Sequence, residues 1–288
     1  MNKKRIIRIL RNYLSPIFSD RKYIKIMSKL RCGYEFNLDN PRTFNEKLNW
    51  LKINNRDPRY TIMADKYNAK EYVASIIGEE YVLPVIASWK KSDDIDFTRL
   101  PDKCMIKSNY NSGGVVKYIK GQTNEDFVKH KLRGRFEFIN FYYKSREWPY
   151  KNIKKVIFAE PMLDIPEGGV LDDYKFWCFN GEPRIMYVTC KSSHVFENFY
   201  DMDFNPIPID HGFKRRTPEF ERPEAFETMK MLARKLSTGI PFLRVDFFYV
   251  NGKVYFAENT FFDWGGFQPF AGDWDEKLGE LLILPNEQ

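Results

Sequence analysis

Apolar positions change period several times along the chain, and each change marks an element. Residues 3–14, KKRIIRILRNYL, place Ile6, Ile9, Leu10, Tyr13 and Leu14 on one helical face, with Lys4, Arg8 and Arg11 on the other, before Pro16 interrupts. The tetrapeptide Thr43-Phe44-Asn45-Glu46 has the Thr-x-x-Glu form of a capping box and predicts a helix through Leu51. Further helices are expected over 61–76, over 123–146 from Thr123 or Asn124, and over 222–238. The last has Pro223 near its start and Gly239 just past its end. Runs dense in β-branched and aromatic residues predict strands at 79–86, 154–160, 173–179, 183–190, 243–250 and 253–260, plus a short one carrying Lys107. Turn chemistry at 91–96 follows the first. Helices and strands mix without strict βαβ alternation, so the expected fold class is α+β.

Composition bounds this picture. At 288 residues the chain holds one large domain or two modest ones, and 43% hydrophobic residues suffice for a sizeable core. With 30% charged residues and a mean hydropathy of −0.53, a soluble protein is expected. No run approaches the roughly 20 apolar residues of a membrane span, and no signal-type apolar run follows the basic N-terminus. Cys32, Cys104, Cys178 and Cys190 form no CxxC pair, and His130, His194 and His211 complete no zinc-type cluster, so a reducing cytoplasm fits.

Charge is unevenly spread. The net charge is +7, yet residues 1–31 hold ten basic residues and one acid, +9, which leaves −2 for the rest. A nucleic-acid partner wants basic residues along a face of the main domain, so this distribution argues against one. The basic amphipathic segment is expected either to touch an anionic membrane surface or to dock on the body.

Within the last strand pair, FLRVDFFYVNGKVYFAENTFF (242–262), Arg244, Asp246 and Glu258 are charges in strands otherwise dense with aromatic and β-branched residues. Buried charges need partners or a ligand. A three-residue loop over 250–252, with Gly252 left-handed, sets Tyr249 opposite Lys253, Asp246 opposite Phe256 and Arg244 opposite Glu258. Alternation then gives Arg244, Asp246, Glu258 and Thr260 one face and turns Asn259 away. A two-residue Asn-Gly loop would put Asp246 and Glu258 on opposite faces. Two carboxylates and a hydroxyl are oxygen donors suited to Mg²⁺, and Mg²⁺ usually arrives with phosphate; the adjacent Arg suits phosphate oxygens. A cross-strand Arg244–Glu258 salt bridge is the plainer alternative.

Other stretches offer phosphate contacts. CMIKSNYNSGG (104–114) carries Lys107 and ends in Ser112-Gly113-Gly114, whose backbone N–H groups can form an anion nest, although it is not a Walker loop. KKVIFAEPML (154–163) runs into Glu160-Pro161, offering backbone to an adenine edge with Ile157 and Leu163 as apolar walls, or else a plain edge strand. DYKFWCFNGEPRIMYVTCK (173–191) reads as a second hairpin turning at Asn180-Gly181. It aims Lys175 and Lys191 at phosphates, or leaves them as snorkelling surface lysines.

In this order the pieces resemble the ATP-grasp superfamily, and most closely its TupA-like branch from surface polysaccharide gene clusters. The matching stretches are NPRTFNEKLNWLKINNRDPRYTIMADKY (40–67), IGEEYVLPVI (77–86), DDIDFTRLP (93–101), the Lys107 strand, DYKFWCFNGEP (173–183), PFLRVDFF (241–248) and FAENTFF (256–262). The resemblance implies an α+β clamp of two subdomains with ATP between antiparallel sheets: a basic helical segment at 1–55, an N-terminal subdomain at 56–163 and a metal and phosphate subdomain at 164–288. It implies that Lys107, Ser112, Gly113 and Gly114 close on phosphate. Glu160 and Leu163 would hold adenine, Glu167 would reach the ribose, and Lys175 and Lys191 would line the phosphates. Asp246, Glu258 and Thr260 would hold Mg²⁺, and Arg244 with Lys191 would serve the reacting phosphoryl group. The usual metal strand ends in Glu-x-Asn; here Thr260 stands where that asparagine belongs.

The implied activity is an ADP-forming carboxylate–amine ligase joining an amino acid or amine to a uronic-acid sugar of a surface polysaccharide, at the inner face of the membrane. Aromatics of FFDWGGFQPF (261–270) would stack on the sugar or belong to the core. The alternatives are a glycosyltransferase, with Asp201-Met202-Asp203 as its DxD candidate, an ATP-dependent sugar kinase, and a non-catalytic nucleotide-binding partner.

Overall fold

The computed structural model describes residues 6, 7, 11, 15–109, 113–137, 141–165, 169–191 and 194–285. The expected 3–14 helix lies mostly outside these residues. Helices α1 (Asp20–Arg31), α2 (Phe44–Asn54), α3 (Arg59–Ala64) and α4 (Ala69–Ile77) precede the sheets; α5 (Glu125–Glu137), α6 (Phe141–Ser145) and α7 (Phe226–Ser237) fall between strands, and α8 (Trp274–Leu281) follows them.

Strands β1 (Ala87–Trp89), β2 (Lys103–Ser108), β3 (Val115–Ile119) and β4 (Ile157–Pro161) form an antiparallel sheet in the order β1-β4-β2-β3. Strands β5 (Asp172–Phe179), β6 (Glu182–Lys191), β7 (Val195–Tyr200), β8 (Pro206–Ile207), β9 (Phe242–Val250) and β10 (Lys253–Thr260) form a second, also antiparallel, ordered β10-β9-β5-β6-β7-β8. The α+β expectation holds.

The capping box forms as read: Thr43 Oγ1 accepts from Glu46 N at 3.3 Å, and Glu46 Oε2 accepts from Thr43 N at 3.2 Å. It satisfies two orphan donors of α2 and fixes where the helix begins. Phe44, the first residue inside, then packs on Trp177, Phe179 and Phe242 of the larger sheet.

Some expected elements shift. The single helix over 61–76 is two, because Asp65 breaks it. Its Oδ1 accepts from Tyr67 N at 2.9 Å and from Asn109 Nδ2 at 2.8 Å, an Asx-type turn that competes with the helix. The strand expected at 79–86 is a short 3₁₀ turn, Glu79–Tyr81, and extended chain; pairing begins only at Ala87. Of the helix expected over 123–146, Glu125–Glu137 and Phe141–Ser145 are helical, and 138–140 lie outside the described residues.

The N-terminal region docks on the body. Tyr23, Ile24 and Met27 of α1 are buried with Phe36, Leu38 and Phe267. Arg146, buried at a left-handed φ of 62°, donates to Ser15 Oγ at 2.6 Å and to the carbonyls of Ser15 and Phe18 at 2.6 and 2.9 Å. Cys32, Cys104, Cys178 and Cys190 form no disulfide among the described residues. Among the described residues no helix is long and apolar enough to cross a membrane.

Candidate active site

The β9–β10 hairpin carries the site, and its register corrects the sequence expectation. The loop has two residues, not three: Asn251 and Gly252 take φ of 51° and 75°, the double left-handed pair of a type I′ turn, and Val250 pairs with Lys253. Alone this would separate Asp246 from Glu258. A bulge between Phe256 and Glu258 restores them: Phe256 pairs with Phe247 and Glu258 with Asp246, leaving Ala257 as the extra residue. Arg244 consequently faces Thr260 rather than Glu258 in the ladder. Asn259, opposite Val245, turns toward Met63, whose carbonyl its amide approaches at 3.5 Å.

Arg244 is the hub. Its Nε and Nη2 grip Asp246 at 2.7 and 2.8 Å, Nη2 reaches Glu258 Oε1 at 2.9 Å, and Nη1 bonds Asp263 and, at 3.2 Å, the Tyr187 hydroxyl. Asp246 is completely buried and also accepts from Lys175 at 2.6 Å; Lys175 in turn bonds Asp173. The cations balance the carboxylates that burial would otherwise penalise. Burial pushes the Glu258 carboxyl up, but Lys66, Arg244 and Lys175 together hold it far below the ordinary range.

A second carboxylate centre lies on the smaller sheet. Glu160, on β4, accepts from Lys70 at 2.8 Å and pairs with Lys107 of β2. Burial raises its carboxyl, and the two lysines more than reverse this. Lys70 also donates to the Leu83 carbonyl at 2.8 Å. Lys66 and Lys70 flank the Asp65 turn. Lys66 N donates to the Asn109 carbonyl at 3.0 Å, and its ammonium reaches Glu258 Oε2 at 2.6 Å.

Both centres open onto one cavity of about 400 Å³ between the sheets, lined by Lys66, Lys70, Lys107, Gly113, Phe158, Glu160, Asp173, Lys191, Asp246, Phe256 and Glu258. Sequence candidates Lys107, Gly113, Glu160, Lys191, Asp246 and Glu258 thus come together. Lys175 lies beneath the wall, tied to Asp173 and Asp246. Gly114 supports the loop, its carbonyl accepting from Ser108 N at 2.8 Å. Leu163 does not line this cavity, and Ser112 and Glu167 lie outside the described residues. Thr260 lines a neighbouring chamber of about 300 Å³ that shares Lys66 and Glu258 with the first. Phe262 and Trp264 also line that chamber, whereas Phe261 and Phe267 of the same aromatic stretch belong to the interior.

Sequence reasoning missed Lys66, Lys70, Asp173, Asp263 and Glu147. Lys66 and Lys70 fall inside the helix expected over 61–76, and only its break at Asp65 brings them to the cavity.

No compact group of three His, Cys, Asp or Glu side chains suited to a metal is present among the described residues. The donor chemistry nonetheless fits a hard cation. Asp246 and Glu258 are paired on one face, and Asp173 Oδ1, in the same wall, is buried without a hydrogen-bond partner.

Two antiparallel sheets closing on a cavity lined with lysines and paired carboxylates define the ATP-grasp class of fold. The profile of TupA-like ATP-grasp proteins matches residues 46–283, and the chain belongs to that family. Solved structures resembling it include D-alanine–D-alanine ligase from Helicobacter pylori (18% identity, TM-score 0.43, covering 77% of this chain and 62% of that one). The same enzyme from Bacillus anthracis, complexed with ATP, matches at 14% identity and TM-score 0.40, over 69% of this chain and 53% of that one. The ATP-grasp ligase PsnB with Mg and ADP matches at 11% identity and TM-score 0.43, over 90% of this chain and 66% of that one. The chain thus spans between about half and two thirds of these solved chains. The comparison with curated proteins found no match.

Proposed function

We propose that the protein is an ATP-dependent carboxylate–amine ligase. The observation that carries this reading is the pairing of Asp246 with Glu258, one side of a cavity whose other side presents Lys107, Lys70 and Glu160. ATP would lie between the sheets, with adenine toward Glu160 and the β4 backbone. Lys107, Lys70 and Lys191 would neutralise phosphate charge, and the Gly113-Gly114 backbone would close over it. Asp246, Glu258 and Asp173 Oδ1 would hold Mg²⁺, with Thr260 at the strand end. When bound, the metal supplies charge neutralisation for the transferred phosphoryl group.

The reaction balances as follows. An oxygen of the acceptor carboxylate attacks the γ-phosphorus, the bond to the bridging oxygen breaks, and ADP leaves. An amine nitrogen then attacks the acyl carbon, phosphate departs, and the nitrogen loses its proton. Arg244 lines the smaller chamber, bonded to the shared Glu258, and would stabilise the anionic group in transfer. The protein's share is positioning and charge placement.

For the acceptor we propose a uronic-acid sugar of a surface polysaccharide or its precursor, joined to an amino acid or amine. The mixed wall of the smaller chamber supports this, since arginines suit a carboxylate and the half-exposed Trp264 offers a stacking face. Such precursors are assembled at the inner membrane face. Contact there would fall to the basic side chains of residues 1–31, because the apolar side of α1 is committed to the interior.

Hydroxylamine trapping tests the chemistry. With Mg-ATP, a panel of uronic acids and hydroxylamine, a ligase yields ADP and hydroxamate in equal amounts. ADP with a stable phosphate ester and no hydroxamate would establish a sugar kinase instead.

A further inference from the structure

The smaller chamber is strongly cationic, and part of that charge has no carboxylate to meet. Five basic residues line it, among them Lys66, Arg244, Arg31 and Arg11, against two carboxylates, Glu258 and Glu147. Lys66 and Arg244 are spoken for. Lys66 pairs with Glu258, and Arg244 pairs with Asp246, Glu258 and Asp263.

Arg31 and Arg11 differ. Arg31 ends α1 with its guanidinium over the Phe267 ring, 5.4 Å from the centroid, and makes no ion pair among the described residues. Arg11 Nε is buried without a hydrogen-bond partner. The two guanidiniums sense each other: burial lowers the pKa of Arg31 and the charge of Arg11 adds to the fall, with Cys32 and Glu147 opposing it. Like charges held together in a half-buried wall raise the folding free energy unless an anion offsets them.

The wall around them is rigid. Lys52, fully buried, donates to the Ser145 carbonyl at 2.8 Å and to the Gly265 carbonyl at 2.5 Å, clamping the two segments that carry Glu147 and Trp264. Arg146 and Trp264, at left-handed φ of 62° and 50°, flank those same segments. Non-glycine residues held in this conformation mark places where the fold maintains a shape against local preference.

We propose that the acceptor carries a second anionic group, distinct from the carboxylate that reacts, and that Arg31 and Arg11 bind it. The reacting carboxylate would sit at the shared Arg244 end, and the second anion, a phosphate or another carboxylate, at the N-terminal end of the chamber. Guanidinium pairs grip either anion through parallel N–H donors. This assignment rests on the ligase reading for the position of the first carboxylate. It gives α1 and the segment before it a part in substrate selection.

The test is calorimetric, on the full chain with Mg²⁺ and AMP-PNP present. Glucuronate supplies one anionic group, glucuronate 1-phosphate adds a phosphate, and glucarate adds a carboxylate. The expected result is that one or both dianions bind about tenfold or more tightly than glucuronate, the size of one good charge-assisted contact. Arg31→Gln and Arg11→Gln should each remove most of that gap, Arg31→Lys should keep part of it, and none should alter AMP-PNP affinity. Whichever dianion gains identifies the second group. Equal binding of all three probes, or a gap untouched by both glutamine variants, would overturn the assignment. Failure of AMP-PNP itself to bind would instead refute the ligase reading on which it stands.

Discussion

Asp246 and Glu258 are direct partners across the β9–β10 ladder only because Ala257 is an unpaired bulge residue. The two-residue Asn251-Gly252 turn sets one parity and the bulge reverses it, so the two carboxylates share the cavity wall. Deleting Ala257 should regularise the ladder and leave Glu258 opposite Asp246 on the same face, because Glu258 then follows Phe256 directly. The Mg²⁺-dependent part of AMP-PNP binding should survive, as it should in Ala257→Ser. Isothermal titration of both variants checks this, and loss of Mg²⁺ dependence in the deletion would show that the local twist of the bulge, beyond parity, places Glu258.

Lys66 belongs to both chambers and pairs with Glu258 at 2.6 Å. Under the proposed ligase chemistry its ammonium would stay within reach of the phosphoryl group in either chamber. Lys66→Ala should lower kcat/KM by roughly 10²–10³, the scale for loss of one preorganised charge at a transferring group, and leave the melting temperature little changed. Steady-state ADP release measures it.

Lys52 donates to the carbonyls of Ser145 and Gly265 and to Asn49 Oδ1 at 2.8 Å from a completely buried position. Burial pushes its pKa down to about 7, with the nearby Glu147 opposing that fall. Lys52→Ala leaves buried acceptors unpaired and Glu147 without its counter-charge. The expected loss is about 3–5 kcal/mol, as for a broken buried pair, read from urea unfolding.

Glu160 gives a pH signature. Its folded carboxyl titrates below the ordinary value of 4.5 because Lys107 and Lys70 outweigh the effect of burial. The native state therefore holds fewer protons than the unfolded chain in that range, and stability contributed by the pair is complete above about pH 4.5 and falls as the solution is acidified. Glu160→Gln should flatten this acid limb between pH 4.5 and 3 while lowering stability at neutral pH. Melting curves across that range, compared with wild type, decide it.

The legible parts of the sequence were those with local physics. The Thr43–Glu46 capping box, the Asn180-Gly181 turn and the hairpin strands follow from residues close in the chain. The shared face of Asp246 and Glu258 was reached through the wrong loop, and the residue expected opposite Asp246 was Phe256 rather than Glu258. Nothing in Phe256-Ala257-Glu258 announces a bulge, since its stability depends on the neighbouring strand and on the Lys66 and Arg244 contacts of Glu258. Lys66 and Lys70 were missed because their partners lie far along the chain, at Glu258 and Glu160. The helix expected over 61–76 failed at Asp65, whose side chain finds Asn109, again a distant residue. Residues 79–86 read as a strand from composition, yet pairing with β4 starts only at Ala87.

The most direct measurement is the melting temperature of the full chain with AMP-PNP, with and without Mg²⁺, in wild type and in Asp246→Asn and Glu258→Gln. A ligand at 100 times its Kd stabilises by about 2.7 kcal/mol, a readily visible shift. The account predicts a shift in wild type that grows with Mg²⁺ and loses its Mg²⁺ dependence in both variants. No shift in wild type, or the same Mg²⁺-dependent shift in all three proteins, would contradict the placement of Mg-ATP against this carboxylate pair.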